Sequence, residues 1–380
     1  MTQHADCAPS SAERIELCPG SMQMERRYPV DDDEDTRNGE AVHWAGHYIV
    51  AEMDGQITDL LGPPTVGAVA PNGVVLNVEM LRTAHLWADT ITDSGRVGHI
   101  EETITTPVLH PSNWGTPDHW DYFPEQLLLV VDDLKNGHRH VEVKRNRQLA
   151  NYAALILNIL GLFHRDDIRI RFRIVQPNSY HRDGDVREWW TTSGELREIW
   201  RIQAAAFAAA CGPSPRVTPH IDACRDCKAR FDCEGALTVT SIAVDISKQS
   251  EPLNMSPAAL SREYKLLLEA EGFIKARRKG IEDRVMHVVR RVGTVPHFAL
   301  ERKSGRVVWL DDAVANGIID VCKAFGVDAG RTEVGLTPLQ AIQAGVPAEI
   351  VKQFSRTNSG ALELVEDDGS KAAAIFNPKE

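Results

Sequence analysis

The densest apolar run in the chain, Leu127 to Val131, is short, rich in β-formers and closes on Asp132-Asp133. That pattern predicts a buried central strand over about Gln126 to Asp133. Ile168-Arg169-Ile170-Arg171-Phe172-Arg173-Ile174-Val175 alternates apolar with basic residues, as a strand with one buried face does. Its arginines are expected to face solvent or to line a nucleic-acid path. Further strands are predicted at Val97 to Thr105 and His138 to Val143. Helical periodicity predicts helices near Ala12 to Leu17, Arg37 to Met53 and Asn77 to Thr92, one carrying Gln148 and running to about Leu160, and one capped by Ser193 and running to Ala210. The expectation is an α/β fold, a mixed sheet flanked by helices, over residues 1–240.

Beyond about residue 240 the pattern changes. Gln249-Ser250-Glu251-Pro252 reads as a linker, and Ser256-Pro257 opens a long helix to about Val289 that carries Lys275, Arg277, Arg278 and Lys279. A hairpin around Arg302 to Arg306 and helices near Asp312 to Phe325 and Pro338 to Ala344 complete a small α+β module over residues 250–380. Its role is open between DNA-end engagement, a partner contact and oligomerisation.

The chain has 380 residues, 43% of them hydrophobic, enough for two domains with cores of their own. No apolar run approaches the ~20 residues of a membrane span. The N-terminus lacks the apolar core of a signal peptide, and the seven cysteines are an odd number. A disulfide framework is therefore not expected, and a reducing, cytoplasmic setting is. The net charge of −12 runs against the basic surface that phosphate binding rewards. Part of it is the local run Asp31-Asp32-Asp33-Glu34-Asp35, a solvated loop. Nucleic-acid contact then falls to restricted basic groups, Arg139, Lys144, Arg145 and Arg147.

Chemistry gathers between residues 115 and 152. Asp133 and Lys135 are two apart at the exit of the central strand, so they share a face while Leu134 points away. Asp118 follows a Gly115-Thr116-Pro117 turn, and hairpin pairing would bring it beside Asp133. Two carboxylates with water suit Mg²⁺ or Mn²⁺, and a lysine beside them would orient water or offset charge in phosphodiester hydrolysis. Taken singly, each residue has a plainer reading. Asp118 beside proline is an ordinary turn former, and Lys135 before Asn136-Gly137 is an exposed lysine leading into a type I′ turn. Glu142-Val143-Lys144 repeats the carboxylate-x-lysine spacing on the next predicted strand, and spacing does not separate the two pairs. A second cluster, Cys224-x2-Cys227-x5-Cys233, is a compact soft-ligand set that needs one more thiolate to hold an iron–sulfur cluster or zinc.

These segments, Gly115 to Asp118, Asp133 to Gly137 and Asn146 to Tyr152, resemble the Gly-Thr-x-Asp, Asp-x-Lys-x-Gly and Asn-x-Gln-Leu-x-x-Tyr pattern of a phage and prophage family in the RecB-like branch of the PD-(D/E)XK nucleases. The resemblance implies the restriction-endonuclease-like core and favours Asp133 and Lys135 over Glu142 and Lys144. It adds Gln148 and Tyr152, four apart on one helix face, to the catalytic set Asp118, Asp133 and Lys135. It also implies a metal-ligating histidine on an N-terminal helix, matched by His43 in Gly39-Glu40-Ala41-Val42-His43, with His47 one turn on as its rival. Relatives such as AddB and CRISPR-associated exonucleases place one cysteine before the core and three after it. Cys18 fits the lone position, which implies a [4Fe-4S] cluster on Cys18, Cys224, Cys227 and Cys233. The alternative is a zinc ribbon with Cys211 as fourth ligand, while Cys7 and Cys322 have no identified partner.

The activity implied is a Mg²⁺- or Mn²⁺-dependent deoxyribonuclease, an exonuclease acting on linear DNA ends in phage recombination or replication. The setting implied is a bacterial host cell, with a phage single-strand-annealing or single-strand-binding protein as partner. Two other classes compete: a catalytically inactive DNA-binding or assembly protein that keeps the fold, and a zinc-binding regulatory protein.

Overall fold

The central strand is Leu128–Leu134, and the chain around it is arranged to bury it on both faces. The computed structural model describes residues 5–28, 34–53, 62–179, 181–292, 295–302, 307–309, 324–326, 338–343, 345–357 and 362–366. Two compact units are formed, Met1–Gly280 and Ile281–Glu380.

In the first unit, helices α1 (Ala12–Leu17), α2 (Ser21–Glu25), α3 (Glu34–Met53) and α4 (Val78–Ile91) precede the strands. Next come β1 (His99–Ile100), β2 (Ile104–Thr105), β3 (Trp114–Gly115), β4 (His119–Phe123) and β5 (Leu128–Leu134). Helix α5 (Arg147–Ile159) leads to β6 (Arg169–Val175) and β7 (Val186–Thr192), then to α6 (Ser193–Ala210), α7 (Ile221–Asp226) and α8 (Glu234–Gln249); α9 (Pro257–Val292) begins in this unit and continues past its boundary at Gly280. The sheet order is β1-β4-β5-β6-β7. Only the β5–β6 pair is parallel, the other neighbours being antiparallel. A parallel neighbour needs a long crossover, and α5 supplies it. This is the expected mixed sheet flanked by helices.

All seven β5 residues are buried. Leu129 and Val131 pack with Leu149, Ala153 and Ile156 of α5 and with Trp200 of α6. Leu134 packs on the opposite face with Val42, Ala45, Trp87 and Ala88 of the α3–α4 pair. Asn77 caps α4, its side chain accepting from Met80 N at 2.9 Å, and Asn146 caps α5 through Leu149 N at 3.1 Å. The cap of α6 is Thr192 rather than the expected Ser193, in a capping box with Glu195. Ser193 is instead buried, its hydroxyl accepting from Ile168 N at 3.2 Å.

Three expectations fail here for identifiable reasons. Residues 138–143 form no strand, because the place beside β5 is taken by β6. Their backbone is satisfied by side chains: Gln176 Nε2 donates to Gly137 O and Arg139 O, both at 2.7 Å, and Arg187 donates to Val141 O at 3.1 Å. Gly137 is not among the glycines of positive φ, so Asn136-Gly137 is no type I′ turn. The arginines of β6 do not face solvent uniformly. Arg173 is 3% exposed and ion-paired with Asp132 and Asp93. The guanidiniums of Arg169 and Arg171 lie over the Trp190 ring, 5.3 and 5.7 Å from its centroid.

In the second unit, β8 (Phe298–Arg302) pairs antiparallel with β11 (Leu362–Glu366), and β9 (Val307–Trp309) with β10 (Ser355–Thr357). The hairpin expected around Arg302 to Arg306 falls on residues 303–306, which lie outside the described residues. Helices α10 (Pro338–Gln343) and α11 (Ala348–Gln353) bury Ala341, Val346 and Val351. The helix predicted from Asp312, together with Cys322 and Asp31 to Asp33, lies outside the described residues. No helix among the described residues is long and apolar enough to cross a membrane.

Candidate active site

The register of the sheet assembles the carboxylates. Pairing of β4 with β5 sets His119 opposite Asp132, so Asp118 comes beside the end of β5, where its Oδ2 accepts from Leu134 N at 2.6 Å. The turn before it requires Gly115: a Cβ there would stand 2.7 Å from Pro9 Cγ and 3.0 Å from Tyr152 Cε1. Tyr152 then holds the turn, donating its hydroxyl to Thr116 O at 3.0 Å.

Asp133 and Lys135 do share a face. Lys135 Nζ is 2.9 Å from Asp133 Oδ2 and donates to Oδ1 at 3.0 Å and to Gln148 Oε1 at 3.4 Å. Gln148 Nε2 donates to Asp133 Oδ1 at 3.0 Å and lies 3.5 Å from the Tyr152 hydroxyl. The first turn of α5 thus closes over the strand end. Burial pushes the Asp133 carboxyl up; Lys135 pulls it down and Asp118 pushes it up again, with a net upward shift. Burial works against the Lys135 ammonium, but Asp133 and Asp118 outweigh it and hold its pKa above the ordinary value. Burial, with Asp118 and Asp133, also raises the Tyr152 phenol, keeping it a neutral donor.

His43, on α3, sets its Nδ1 3.8 Å from Asp118 Oδ1 and 3.5 Å from Glu101 Oε1. Burial opposes its charged form, yet Asp118 and Glu101 prevail and raise its pKa. His47 joins the group one turn on, with Nε2 3.2 Å from Glu101 Oε1. Burial lowers its pKa against the pull of Glu101. Ligand atoms of His43, His47 and Glu101 all lie within 4.8 Å of one another.

Glu101 is the acidic member that sequence reasoning missed. It follows β1 with φ +43, an uncommon conformation for a residue with a side chain, and its N–H donates to Asp118 O at 3.2 Å. The β1–β4 pairing, Ile100 opposite His119, brings it there. The acidic pair Glu101-Glu102 just after a predicted strand was the only local signal.

The rival carboxylate-lysine pair lies apart. Glu142 is exposed on the non-strand segment and accepts from the backbone N–H of Lys144 at 3.0 Å, which pulls its carboxyl below the ordinary value. Among the basic candidates, Arg145 is exposed with φ +57. Arg147 is engaged by Glu16, Nε to Oε2 at 2.9 Å, and Arg139 by Asp226 at 2.8 Å.

At the far end of α6, Cys18, Cys224, Cys227 and Cys233 line one cavity with Val217 and Ala229. Thr218 N donates to Cys18 Sγ at 3.4 Å, and Phe273 of α9 packs against Cys224 and Cys233. Burial raises the Cys224 thiol to about 11 and the Cys227 thiol to about 12. Cys211, the alternative fourth ligand, is not part of this cavity lining. It lies 3.5 Å from Cys7, which thereby has the partner that its sequence surroundings did not reveal.

A crystal structure of a protein named a "putative exonuclease", from Eubacterium rectale, is similar to this chain at 13% identity and a TM-score of 0.33, covering 56% of this chain and 83% of that one. An overlap of that size carries no argument about activity. The family described as "Protein of unknown function (DUF2800)" matches residues 4–356, and the chain belongs to it.

Proposed function

We propose that the chain is a metal-dependent deoxyribonuclease with a RecB-like PD-(D/E)XK core, acting on the ends of linear DNA. One observation carries this reading: Asp118, Asp133, Lys135 and Gln148 converge at the end of β5, and His43 faces Asp118 at 3.8 Å. The donor set fits Mg²⁺ or Mn²⁺, with Asp118 and Asp133 as oxygen ligands and His43 as a nitrogen ligand. The buried Asp133 carboxyl is raised in part by the Asp118 charge, a repulsion that a cation between them relieves. When bound, the metal polarises the scissile phosphoryl group and acidifies the attacking water.

The chain's own groups do the remainder. The Lys135 ammonium, gripped by Asp133 and Gln148, holds the attacking water and meets the charge that builds on the phosphoryl oxygens. Gln148 fixes the rotamers of both Asp133 and Lys135 through its two ends. Tyr152 anchors the Asp118 turn through Thr116 O.

The four-cysteine cavity fits a [4Fe-4S] cluster better than zinc. The reading rests on the shared lining, in which Cys18 joins Cys224, Cys227 and Cys233 as the lone cysteine from the N-terminal segment, while Cys211, the fourth ligand of the zinc alternative, lies beside Cys7 instead. The cluster's iron would supply the charge that ionises thiols raised by burial. It would join residues near Cys18 to residues near Cys233 as a structural staple.

The test is digestion of end-labelled linear DNA and of circular DNA with Mg²⁺ or Mn²⁺. Linear substrate is degraded, circular substrate survives, and a chelator stops the reaction. Linear DNA that stays intact with either metal would mean a non-catalytic DNA-binding protein on the same fold. Visible absorption in the purified protein, lost in Cys224→Ser together with thermal stability, checks the cluster. A colourless parent containing zinc overturns it.

A further inference from the structure

A third set of ligand atoms gathers away from both sites already described. Cys7 Sγ lies 3.5 Å from Cys211 Sγ, and Cys211 Sγ lies 3.9 Å from His110 Nδ1. All three atoms are within 4.8 Å of one another. They come from the N-terminal segment, from the C-cap of α6 and from the loop before β3. Backbone bonds hold two of these segments in register, since Cys7 N donates to Ser112 O at 3.2 Å and Asn113 Nδ2 donates to Cys7 O at 2.7 Å. Cys7 is fully buried, while Cys211 is exposed.

These spacings suit a single tetrahedral ion. Two sulfurs bound to one zinc are about 3.8 Å apart, and a sulfur and an imidazole nitrogen about 3.6 Å; the observed edges are 3.5 and 3.9 Å. A disulfide needs two sulfurs at ~2.05 Å and has no use for an imidazole aimed at them. Ser112 N donates to His110 Nδ1 at 3.1 Å, so Nδ1 carries no proton in this arrangement, and an ion would have to take that lone pair in place of the Ser112 N–H. Burial and the neighbouring Cys211 push the Cys7 thiol well up; a dication between the two sulfurs reverses that balance. Two thiolates with an imidazole are a zinc donor set.

We propose that Cys7, His110 and Cys211 form a zinc site, distinct from the carboxylate site and from the four-cysteine cavity, with water in the fourth position. Its mechanical consequence follows from what it joins. The loop it grips also carries Asn113, which donates to Asn151 Oδ1 of α5 at 3.1 Å, and then enters β3 and the Gly115–Asp118 turn. A metal here clamps the segment that delivers Asp118 and closes a loop of 204 residues.

Metal analysis of the full-length protein tests the site. Zinc per chain in the parent exceeds that in Cys211→Ser and in His110→Ala, each variant binding it at least about tenfold more weakly, while the content of the four-cysteine cavity is unchanged. His110→Ala separates the readings, since it leaves both thiols in place and a disulfide would survive it. In the unaltered protein under a reductant, one added equivalent of Zn²⁺ slows iodoacetamide labelling of the exposed Cys211, mapped by peptide mass, by about tenfold. This arm decides the matter if the variants fail to fold. Equal zinc in parent and variants, labelling indifferent to Zn²⁺, or a Cys7–Cys211 disulfide in zinc-free protein each overturns the proposal.

Discussion

Asp132 and Asp133 are adjacent on one strand, with relative exposures of 1% and 2%, yet the fold treats them in opposite ways. Asp132 accepts from His119 Nδ1 at 2.6 Å and from Arg173 through both Nε and Nη2. Burial raises its carboxyl, but His119 and Arg173 outweigh burial and hold it below the ordinary value. Asp133 has Lys135 and Gln148, and remains raised. Strand alternation sends the two side chains to opposite faces. On one face, the register delivers a histidine from β4 and an arginine from β6 directly opposite Asp132. On the other, Asp133 lies at the sheet end beside Asp118, with more negative charge than its partners neutralise. One carboxylate is a closed structural ion pair, and the other keeps the raised carboxyl that the proposed metal site would use.

The sharpest way to break this comparison is Asp133→Asn. Turnover should fall about 10³-fold, the scale of losing a central electrostatic group, while the melting temperature holds or rises because a strained buried charge is gone. Lys135→Ala should lose activity comparably. Asp132→Asn should do the reverse, costing about 3–5 kcal/mol of stability by leaving buried Arg173 underpaired, with the folded fraction still cleaving DNA. Urea unfolding and single-turnover cleavage on the same samples check both. If Asp132→Asn melts like the parent and is inactive, the division of roles is wrong. Gly115→Ala should cost about 1–3 kcal/mol by driving a methyl into Pro9 and Tyr152, lowering activity through the displaced Asp118 turn. Glu142→Ala sharpens the comparison from outside it, since an exposed carboxylate bonded only locally should change stability by less than about 0.5 kcal/mol. Cleavage in that variant should match the parent, and a large loss would revive the rival pair.

Local pattern carried much of the fold. The helix placed by periodicity at Asn77 to Thr92 is found at Val78–Ile91, with Asn77 as its cap, and the strand placed at Gln126 to Asp133 is Leu128–Leu134. The shared face of Asp133 and Lys135 was also legible from strand alternation, and the approach of Asp118 once a hairpin is assumed; Gln148 and Tyr152 entered through the family resemblance, with helix spacing adding that they share a face. Pairing choices were not. Whether 138–143 becomes a strand depends on β6, more than twenty residues later, claiming the place beside β5. Likewise, β8 and β9 pair with β11 and β10, strands more than forty residues later.

The sequence by itself determined the mixed sheet with its helices, the face shared by Asp133 and Lys135, and the grouping of Cys224, Cys227 and Cys233. These follow from fixed periods and short spacings that act within a few residues. Tertiary structure alone decided that Glu101 stands beside His43 and His47, that Asp132 is locked by His119 and Arg173, and that Cys211 meets Cys7 across 204 residues. Each of those contacts depends on which strands pair and how helix ends meet, a choice made by burial summed over the whole unit rather than by any local pattern.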